Sequence, residues 1–186
     1  TLRDYCDWFA EFVDMREDLD HGNVLDIACN DGTQLDSFRK LGWKTFGVDP
    51  ATNLFEIALE KGHMVRNAYW PISYPQMDVI TAQNVCAHTP NPLEFLKGVK
   101  KSLTPDGTAY IQTSQSQMYQ RNEFDTTYHE HISFFSANSM KTLAERAGLV
   151  LTDIVITPIH GDSYVFVLKH QGAVVQSSVT ETIRKE

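Results

Sequence analysis

The sequence lacks the residue patterns that several classes of protein require. Its three cysteines, Cys6, Cys29 and Cys86, lie far apart and form no C-x-x-C pair. This spacing argues against a zinc cluster or a disulfide framework and indicates buried thiols in a reducing compartment. The net charge is -8 and there is no run of basic residues. Because nucleic-acid binding requires clustered Lys and Arg, we expect no nucleic-acid partner.

Long apolar runs are also missing. No stretch approaches the length of a membrane span, and no secretory signal pattern opens the sequence. We therefore expect no membrane association and a cytoplasmic location. The 186 residues, 42% of them hydrophobic, suit one globular domain with a complete core. We interpret residues 1–186 as a single domain, with an N-terminal helix within 1–22 and a polar tail at 171–186.

The turn that follows the first predicted strand contains only one glycine. Residues 23–32 read Asn-Val-Leu-Asp-Ile-Ala-Cys-Asn-Asp-Gly, a short apolar strand that runs into a polar turn. Leu35, Phe38 and Leu41 follow at helical spacing. Strand, tight turn and helix open a nucleotide-binding α/β fold. A dinucleotide needs several glycines so that the backbone can approach its pyrophosphate, and here Gly32 stands alone beside Asp31. This argues against an NAD-dependent oxidoreductase.

A second strand pattern, residues 44–49, ends in Asp49 about 20 residues after the first turn. A carboxylate at this position can accept hydrogen bonds from both ribose hydroxyls of an adenosine. S-adenosylmethionine carries no phosphate, and Asp26 and Asp31 could bind its ammonium group. The sequence therefore favours S-adenosylmethionine as cofactor. The competing interpretation is an α/β protein whose turn binds nothing.

The remaining patterns complete an α/β sheet. Strands are predicted at 63–66, 77–82, 108–113, 149–157 and 163–169, with a turn at 104–107 and helices between most of the strands. We predict a seven-stranded, mostly parallel sheet of order 3-2-1-4-5-7-6, with the last strand antiparallel. This order brings Asp31, Asp49, Asn67 and Asn84 to one edge of the sheet.

A second cluster of titratable residues lies at 123–136, which reads Glu-Phe-Asp-Thr-Thr-Tyr-His-Glu-His-Ile-Ser-Phe-Phe-Ser. A histidine here can be positioned by a neighbouring carboxylate or phenol, as a general base requires. Two other interpretations compete. The His-Glu-His triplet could bind a metal, although no second cluster supplies further ligands. The segment could also be a hydrogen-bonded loop without chemistry.

The turn at 26–32, Asp-Ile-Ala-Cys-Asn-Asp-Gly, resembles the first motif of class I S-adenosylmethionine-dependent methyltransferases, which usually has a glycine where this chain has Ala28. The resemblance implies a three-layer Rossmann-like fold and a small-molecule methyl acceptor. It also implies a set of cofactor-binding residues: Asp26, Ala28, Cys29, Asn30, Asp31, Gly32, Asp49, Pro50, Asn67, Ala68, Asn84 and Val85.

Three further segments resemble sugar C-methyltransferases, which methylate a carbon beside a ketone on nucleotide-linked deoxysugars. They are Tyr128-x-Glu130-His131, the segment from Asn84 to His88, and 158–161 with its Pro-Ile-His-Gly. The resemblance implies that His131 is the base, that Glu130 and Tyr128 assist it, and that His88 is a second candidate. Where that family often has an arginine, this chain has Val165. O- or N-methylation, or a non-catalytic S-adenosylmethionine-binding module, are the alternatives.

Overall fold

The computed structural model describes residues 1–17, 19, 22–113, 131–157 and 163–186. Six helices lie in this part of the chain: α1 Leu2–Glu17, α2 Thr33–Lys40, α3 Thr52–Glu60, α4 Pro92–Ser102, α5 Ala137–Ala147 and α6 Ser177–Lys185. Seven strands accompany them: β1 Asn23–Ile27, β2 Lys44–Asp49, β3 Met64–Asn67, β4 Met77–Gln83, β5 Leu103–Thr113, β6 Leu149–Thr157 and β7 Ser163–His170. Among the described helices, none is both long and apolar enough to cross a membrane.

The strands form one sheet of order β3-β2-β1-β4-β5-β7-β6, as predicted. Strands β1 to β5 pair in parallel, whereas β7 runs antiparallel to both of its neighbours, β5 and β6. Carboxyl ends of parallel strands meet at one edge, and ligands bind along that edge in sheets of this kind. The polar residues that follow β1, β2 and β4 therefore lie at the same edge of the molecule.

Alternate residues of the central strands point to the two faces of the sheet. Towards α1, Val24, Val79 and Tyr110 pack with Phe9 and Val13 of that helix. The opposite face carries Leu25, Ile27, Ile80, Ala109 and Ile111, which belong to the core shared with α4 and α5. Because both faces are covered, the central strands are apolar nearly throughout, as parallel strands generally are.

Helix ends follow their local sequence signals. Asn91 accepts a hydrogen bond from the backbone N–H of Glu94, and Pro92 occupies the first turn of α4. Ser136 and Ser139 form a reciprocal capping box at the start of α5, which ends at Gly148 in the left-handed conformation.

The structure differs from the predicted elements in two places. β5 begins at Leu103, not Thr108, because the predicted turn at 104–107 is accommodated as an irregularity within the strand. Met77 pairs with Leu103, and Val79 already pairs with Thr108. The polar stretch after β7, which suggests a frayed terminal helix, contains helix α6, and this helix packs against the core. Its Val179 is only 2% exposed, and the Glu186 carboxylate accepts a hydrogen bond from the N–H of Ala137.

The structure leaves no space for a side chain at Gly47 of β2, and this can be tested. A Cβ atom there would lie 2.6 Å from Cys29 Sγ and 3.0 Å from Leu35 Cδ1. We expect Gly47→Ala to lower the free energy of unfolding by about 1–3 kcal/mol through overpacking. Chemical denaturation measures this. In a Cys29→Ala background the sulfur is gone, so the cost should shrink; an equal cost in both backgrounds would show that this contact is not the cause.

Candidate active site

The turn after β1 is shaped by unusual backbone angles. Ala28 has φ 61°, Asn30 has φ 49° and Gly32 has φ 79°, all in the left-handed region. The N–H groups of Ala28 and Cys29 both donate to the carbonyl oxygen of Val48, at 2.8 and 3.3 Å. The turn therefore curls over the end of β2 and does not continue along β1.

Asp49 holds this turn in place. Its side chain is 3% exposed, and its two oxygens accept hydrogen bonds from the backbone N–H of Asn30, at 2.9 Å, and of Ala51, at 2.8 Å. One carboxylate thus joins the turn after β1 to the start of α3. Two of its four acceptor positions are occupied by these bonds, which leaves capacity for ribose hydroxyls.

A polar cluster supports the turn from beneath. His63 is 2% exposed; its Nδ1 lies 2.8 Å from Thr45 Oγ1 and its Nε2 lies 3.1 Å from Asp36 Oδ1. Burial lowers the pKa of His63, which favours the neutral ring. A Cβ on Gly32 would approach His63 Cδ2 to 2.8 Å. The single glycine of the turn is therefore required by this contact as well as by its φ.

Next to the turn lies a cavity of about 440 Å³, which we call the polar cavity. Its lining residues come from α1, from the β1 turn, from the start of α2 and from the ends of β4 and β5: Leu2, Tyr5, Cys6, Asp26, Ala28, Cys29, Asn30, Asp31, Thr33, Gln34, Gln83, Asn84 and Gln112. This described lining includes carboxyl groups and no Lys, Arg or His. The cavity therefore suits a ligand that carries positive charge.

Asp26 is the most perturbed carboxyl group in the polar cavity. It is 4% exposed, and Thr81 Oγ1 donates a hydrogen bond to its Oδ1 at 2.7 Å. Burial raises the pKa of Asp26 to about 7, against that hydrogen bond, and the nearby Asp49 carboxylate adds to the rise. Without a bound cation, Asp26 is therefore a carboxyl group close to its titration point at neutral pH.

Asp31 lies at the outer side of the same cavity. Although burial opposes the change, hydrogen bonds from Thr33 and the charge of Lys61 lower the pKa of Asp31. Lys61 Nζ lies 3.4 Å from Asp31 Oδ2 and 3.3 Å from Asp36 Oδ2. The Asp31 carboxylate is thus ionised and already partly neutralised by a lysine.

A second cavity, of about 540 Å³, lies on the other side of Ala28 and is mostly apolar. Its lining includes Val48, Pro50, Ala68, Tyr69, Trp70, Val85, His88 and Phe95. Trp70 Nε1 donates to the carbonyl oxygen of Phe95 at 3.1 Å, which fixes the indole as one wall. We call this space the apolar cavity.

The two cavities together match the two ends of S-adenosylmethionine. An adenine ring suits apolar walls with aromatic side chains, whereas the amino-acid end and the sulfonium suit a cavity with carboxyl groups. Ala28 lines both cavities, and Gln112 Nε2 in the polar cavity is a buried donor without an acceptor among the described residues. These residues fit the cofactor that the sequence predicts.

Not every predicted cofactor residue lines a cavity. Asn67 is exposed, and its amide is engaged in the structure: Nδ2 donates to Asp49 O at 3.0 Å, and Oδ1 accepts from Thr52 at 3.1 Å. Its neighbour Ala68 lines the apolar cavity instead. Gly32 and Asp49 line neither cavity, but both stabilise the turn between the two cavities.

Two of the predicted catalytic residues meet in the structure. The ring centroids of His88 and His131 lie 4.7 Å apart, and both side chains are half-buried. The N–H groups of Ile132 and Ser133 donate to the carbonyl oxygen of Ala87, at 2.9 and 3.1 Å. These bonds anchor the chain after His131 to the short 3₁₀ turn Cys86–His88 that follows β4. Tyr128 and Glu130 lie outside the described residues.

Five polar residues of the polar cavity are absent from the predicted set of site residues: Tyr5, Thr33, Gln34, Gln83 and Gln112. Gln83 Nε2 donates to Gln34 Oε1 at 2.9 Å, and Gln34 Nε2 donates to the carbonyl oxygen of Cys6 at 3.0 Å. A glutamine at the carboxyl end of an otherwise apolar strand is a detectable signal in both Gln83 and Gln112. The contribution of α1 depends on tertiary packing.

The three cysteines are free and buried, as predicted. Burial raises the pKa of Cys6 to about 11 and that of Cys86 to about 12. Burial also raises the pKa of Cys29 far above its usual range. None of the three therefore provides a thiolate nucleophile at neutral pH.

Comparison with known proteins decides the family. A family model described as a methyltransferase domain matches residues 2–154. The chain belongs to this methyltransferase family. The C-methyltransferase NovU of Streptomyces niveus is 32% identical over 151 residues, which are 76% of this chain and 36% of that protein. A ubiquinone biosynthesis O-methyltransferase of Shewanella halifaxensis is 24% identical over 153 residues, 71% of this chain and 65% of that protein.

Solved structures show the same fold. The magnesium protoporphyrin IX methyltransferase of Synechocystis PCC 6803, crystallised with S-adenosylmethionine, superposes with a TM-score of 0.71 at 10% identity. The match covers 91% of this chain and 79% of that one. This methyltransferase domain thus has the Rossmann-like fold of its family and uses S-adenosylmethionine as cofactor. The chain spans only about a third of NovU and about two thirds of the O-methyltransferase.

The raised pKa of Asp26 predicts how stability depends on pH. Because the folded-state pKa, about 7, exceeds the ordinary 3.8, the folded state holds this proton more tightly. The associated stability is complete below about pH 4 and is lost as pH rises through about 7, by up to about 4 kcal/mol. Asp26→Asn cannot ionise and should keep the Thr81 hydrogen bond. The variant should therefore gain stability relative to wild type as pH rises, while losing cofactor affinity.

Urea denaturation of ligand-free wild type and Asp26→Asn, from about pH 4 to above pH 7, measures the difference in their free energies of unfolding. Calorimetry with S-adenosylmethionine measures the cofactor affinity of each protein. If the free energies of unfolding of variant and wild type differ by the same amount at every pH, ionisation of the buried Asp26 does not affect stability, and the prediction is wrong.

The left-handed Ala28 gives a second prediction. Ala28→Gly removes the Cβ that disfavours φ 61°, at the cost of a more flexible unfolded chain. We expect the free energy of unfolding to rise by about 0.5–1 kcal/mol, with cofactor binding retained. The comparison variant is Ala10→Gly inside α1, which should lower the free energy of unfolding by at least about 1 kcal/mol, because it also removes a buried methyl group. Thermal denaturation should show higher stability for Ala28→Gly and lower stability for Ala10→Gly. Lower stability in both variants would show that the turn is not strained.

Proposed function

We propose that this methyltransferase domain methylates a carbon atom next to a carbonyl group of a small molecule, such as a nucleotide-linked keto sugar. The observation that carries the proposal is the pair of histidines, His88 and His131, at the carboxyl edge of the sheet. His88 also lines the apolar cavity. Methyl transfer to an oxygen or nitrogen lone pair depends less on a base than transfer to carbon, which first requires removal of a proton.

In the proposed reaction, His131 removes the proton from the carbon beside the carbonyl. The ring nitrogen of a neutral imidazole can accept a proton, which is the task of a general base. Bound S-adenosylmethionine supplies an electrophilic methyl group on its sulfonium. Glu130 and Tyr128 are proposed to orient His131 or to stabilise the enolate oxygen. His88, whose ring contacts that of His131, is proposed as a second proton carrier.

The relatives support this proposal only in outline. NovU carries the name C-methyltransferase, and its aligned part covers most of this chain. The ubiquinone relatives carry the name O-methyltransferase and favour the second candidate, O-methylation of a small molecule. The two reactions differ in one measurable step, since only C-methylation breaks a carbon–hydrogen bond.

The test separates proton removal from methyl transfer. A 4-keto deoxysugar nucleotide is incubated in D₂O with the protein and S-adenosylhomocysteine, so that no methyl group is available. NMR should show deuterium entering the carbon beside the ketone. With S-adenosylmethionine present, the new methyl group should appear on that carbon. Methylation on oxygen, without exchange, would contradict the proposal and favour the second candidate.

His131→Gln should slow both exchange and turnover by about 10²- to 10⁴-fold, the usual contribution of a positioned base. Cofactor affinity should stay unchanged, because His131 is proposed to act on the acceptor alone. The matched control is His170→Gln at the end of β7. The neighbouring Lys169 pairs with Thr108, five residues before the carboxyl end of β5, so His170 lies away from the candidate site. Exchange at the wild-type rate in His131→Gln would contradict its role as base.

A further inference from the structure

Gln112 is a buried side chain with an unused hydrogen-bond donor. It is 0% exposed, it lines the polar cavity, and its Nε2 has no partner among the described residues. A buried N–H without an acceptor is costly and rare in native proteins. The other two glutamines of the cavity, Gln34 and Gln83, use their amide N–H groups within the protein. Gln112 is therefore the member of this group that is poised for a ligand.

Tyr5 of α1 fixes the orientation of the Gln112 amide. The Tyr5 hydroxyl donates to Gln112 Oε1 at 2.6 Å. Burial raises the pKa of Tyr5 to about 12, so the hydroxyl keeps its proton and remains a donor. Because Oε1 is occupied as an acceptor, the amide presents Nε2 as the group left to bind. The ring of Tyr5 is held in turn by Trp8 and Phe9, at centroid distances of 5.4 and 6.1 Å.

The same face of the sheet carries Asp26. Residues Asp26, Thr81 and Tyr110 are in register across β1, β4 and β5, and Gln112 lies two residues beyond Tyr110 on the same side. Neighbouring strands are about 4.8 Å apart and each residue advances about 3.3 Å along a strand, so the Cα atoms of Asp26 and Gln112 are roughly 12 Å apart. Both residues belong to the lining of the polar cavity. The cavity wall thus offers a carboxyl group at one side and an amide donor at the other.

This pair matches the amino-acid end of the cofactor, which carries an ammonium group and a carboxylate on one carbon. The ammonium requires an acceptor such as Asp26, and the carboxylate requires a donor. No Lys or Arg in the described lining supplies that donor. We propose that Gln112 Nε2 donates a hydrogen bond to the α-carboxylate of the methionyl group, with Tyr5 as the residue that positions Gln112. Helix α1 then belongs to the cofactor site and is more than a cover for the sheet.

This proposal rests on the cofactor and is independent of the methyl acceptor. Failure of the C-methylation proposal would leave it intact, and the reverse also holds. The test compares two ligands: S-adenosylhomocysteine, which has the amino-acid end, and 5′-deoxy-5′-methylthioadenosine, which keeps the adenosine and sulfur but lacks that end. Calorimetry gives the affinity of each ligand without any turnover.

Gln112→Glu keeps the shape and the bond from Tyr5 but replaces the donor with a second acceptor. We expect its affinity for S-adenosylhomocysteine to fall roughly tenfold to a hundredfold, the range for a hydrogen bond to a charged group. Its affinity for methylthioadenosine should not change. Gln112→Ala should show a smaller selective loss, because it removes the donor without adding charge. Tyr5→Phe, which keeps the ring contacts, should show a selective loss in the same direction.

The charge-matched control is Gln171→Glu, an exposed position outside the polar cavity, which should bind both ligands as wild type does. Equal losses for both ligands in Gln112→Glu and Gln112→Ala would overturn the proposal, because they would indicate general damage to the site. Unchanged S-adenosylhomocysteine affinity in Gln112→Glu would also overturn it. A raised KM for the methyl acceptor, combined with normal binding of S-adenosylhomocysteine, would assign Gln112 to the acceptor instead.

Discussion

One carboxylate, Asp49, connects two loops of the candidate site. It accepts hydrogen bonds from backbone N–H groups on two different loops, at Asn30 and Ala51. A charged acceptor makes stronger bonds than a neutral one, particularly when it is buried. These bonds hold the turn after β1 over the end of β2, in a left-handed backbone conformation that asparagine tolerates but alanine rarely adopts. Both cavities border the turn at Ala28.

The two cavities beside Ala28 differ in the polarity of their linings. On the side of α1, the cavity contains Asp26 and Asp31 and suits the charged end of the cofactor. On the other side, the apolar cavity reaches His88, which contacts His131. The cost of burying Asp26 appears as its raised pKa. A cation bound beside Asp26 would offset that cost.

Much of the fold could be predicted from the sequence, because the signals are local. The apolar run Val24 to Ile27, the capping residue Ser136 and the terminating Gly148 each act within a few residues. The strand order is the one implied by the resemblance of residues 26–32 to the methyltransferase motif, and right-handed crossovers between the parallel strands are compatible with it. The irregularity of β5 at 104–107 could not be predicted, because Pro, Asp and Gly are typical both of a turn between elements and of an irregularity within a strand. Helix α6 packs on a surface formed by α5 and β6, and about 20 or more residues separate these elements from α6 in the sequence.

The sequence by itself determined the topology, the cofactor class and the position of the polar turn, because strand periodicity and turn composition are written in consecutive residues. Only the tertiary structure decided which side chains share a cavity. It brought His88 to His131 and Tyr5 to Gln112, pairs that are separated by 43 and 107 positions. It also showed Asn67 bound to the Asp49 carbonyl oxygen and His63 packed beneath Gly32. Such contacts depend on the distances between elements, which local sequence patterns do not specify.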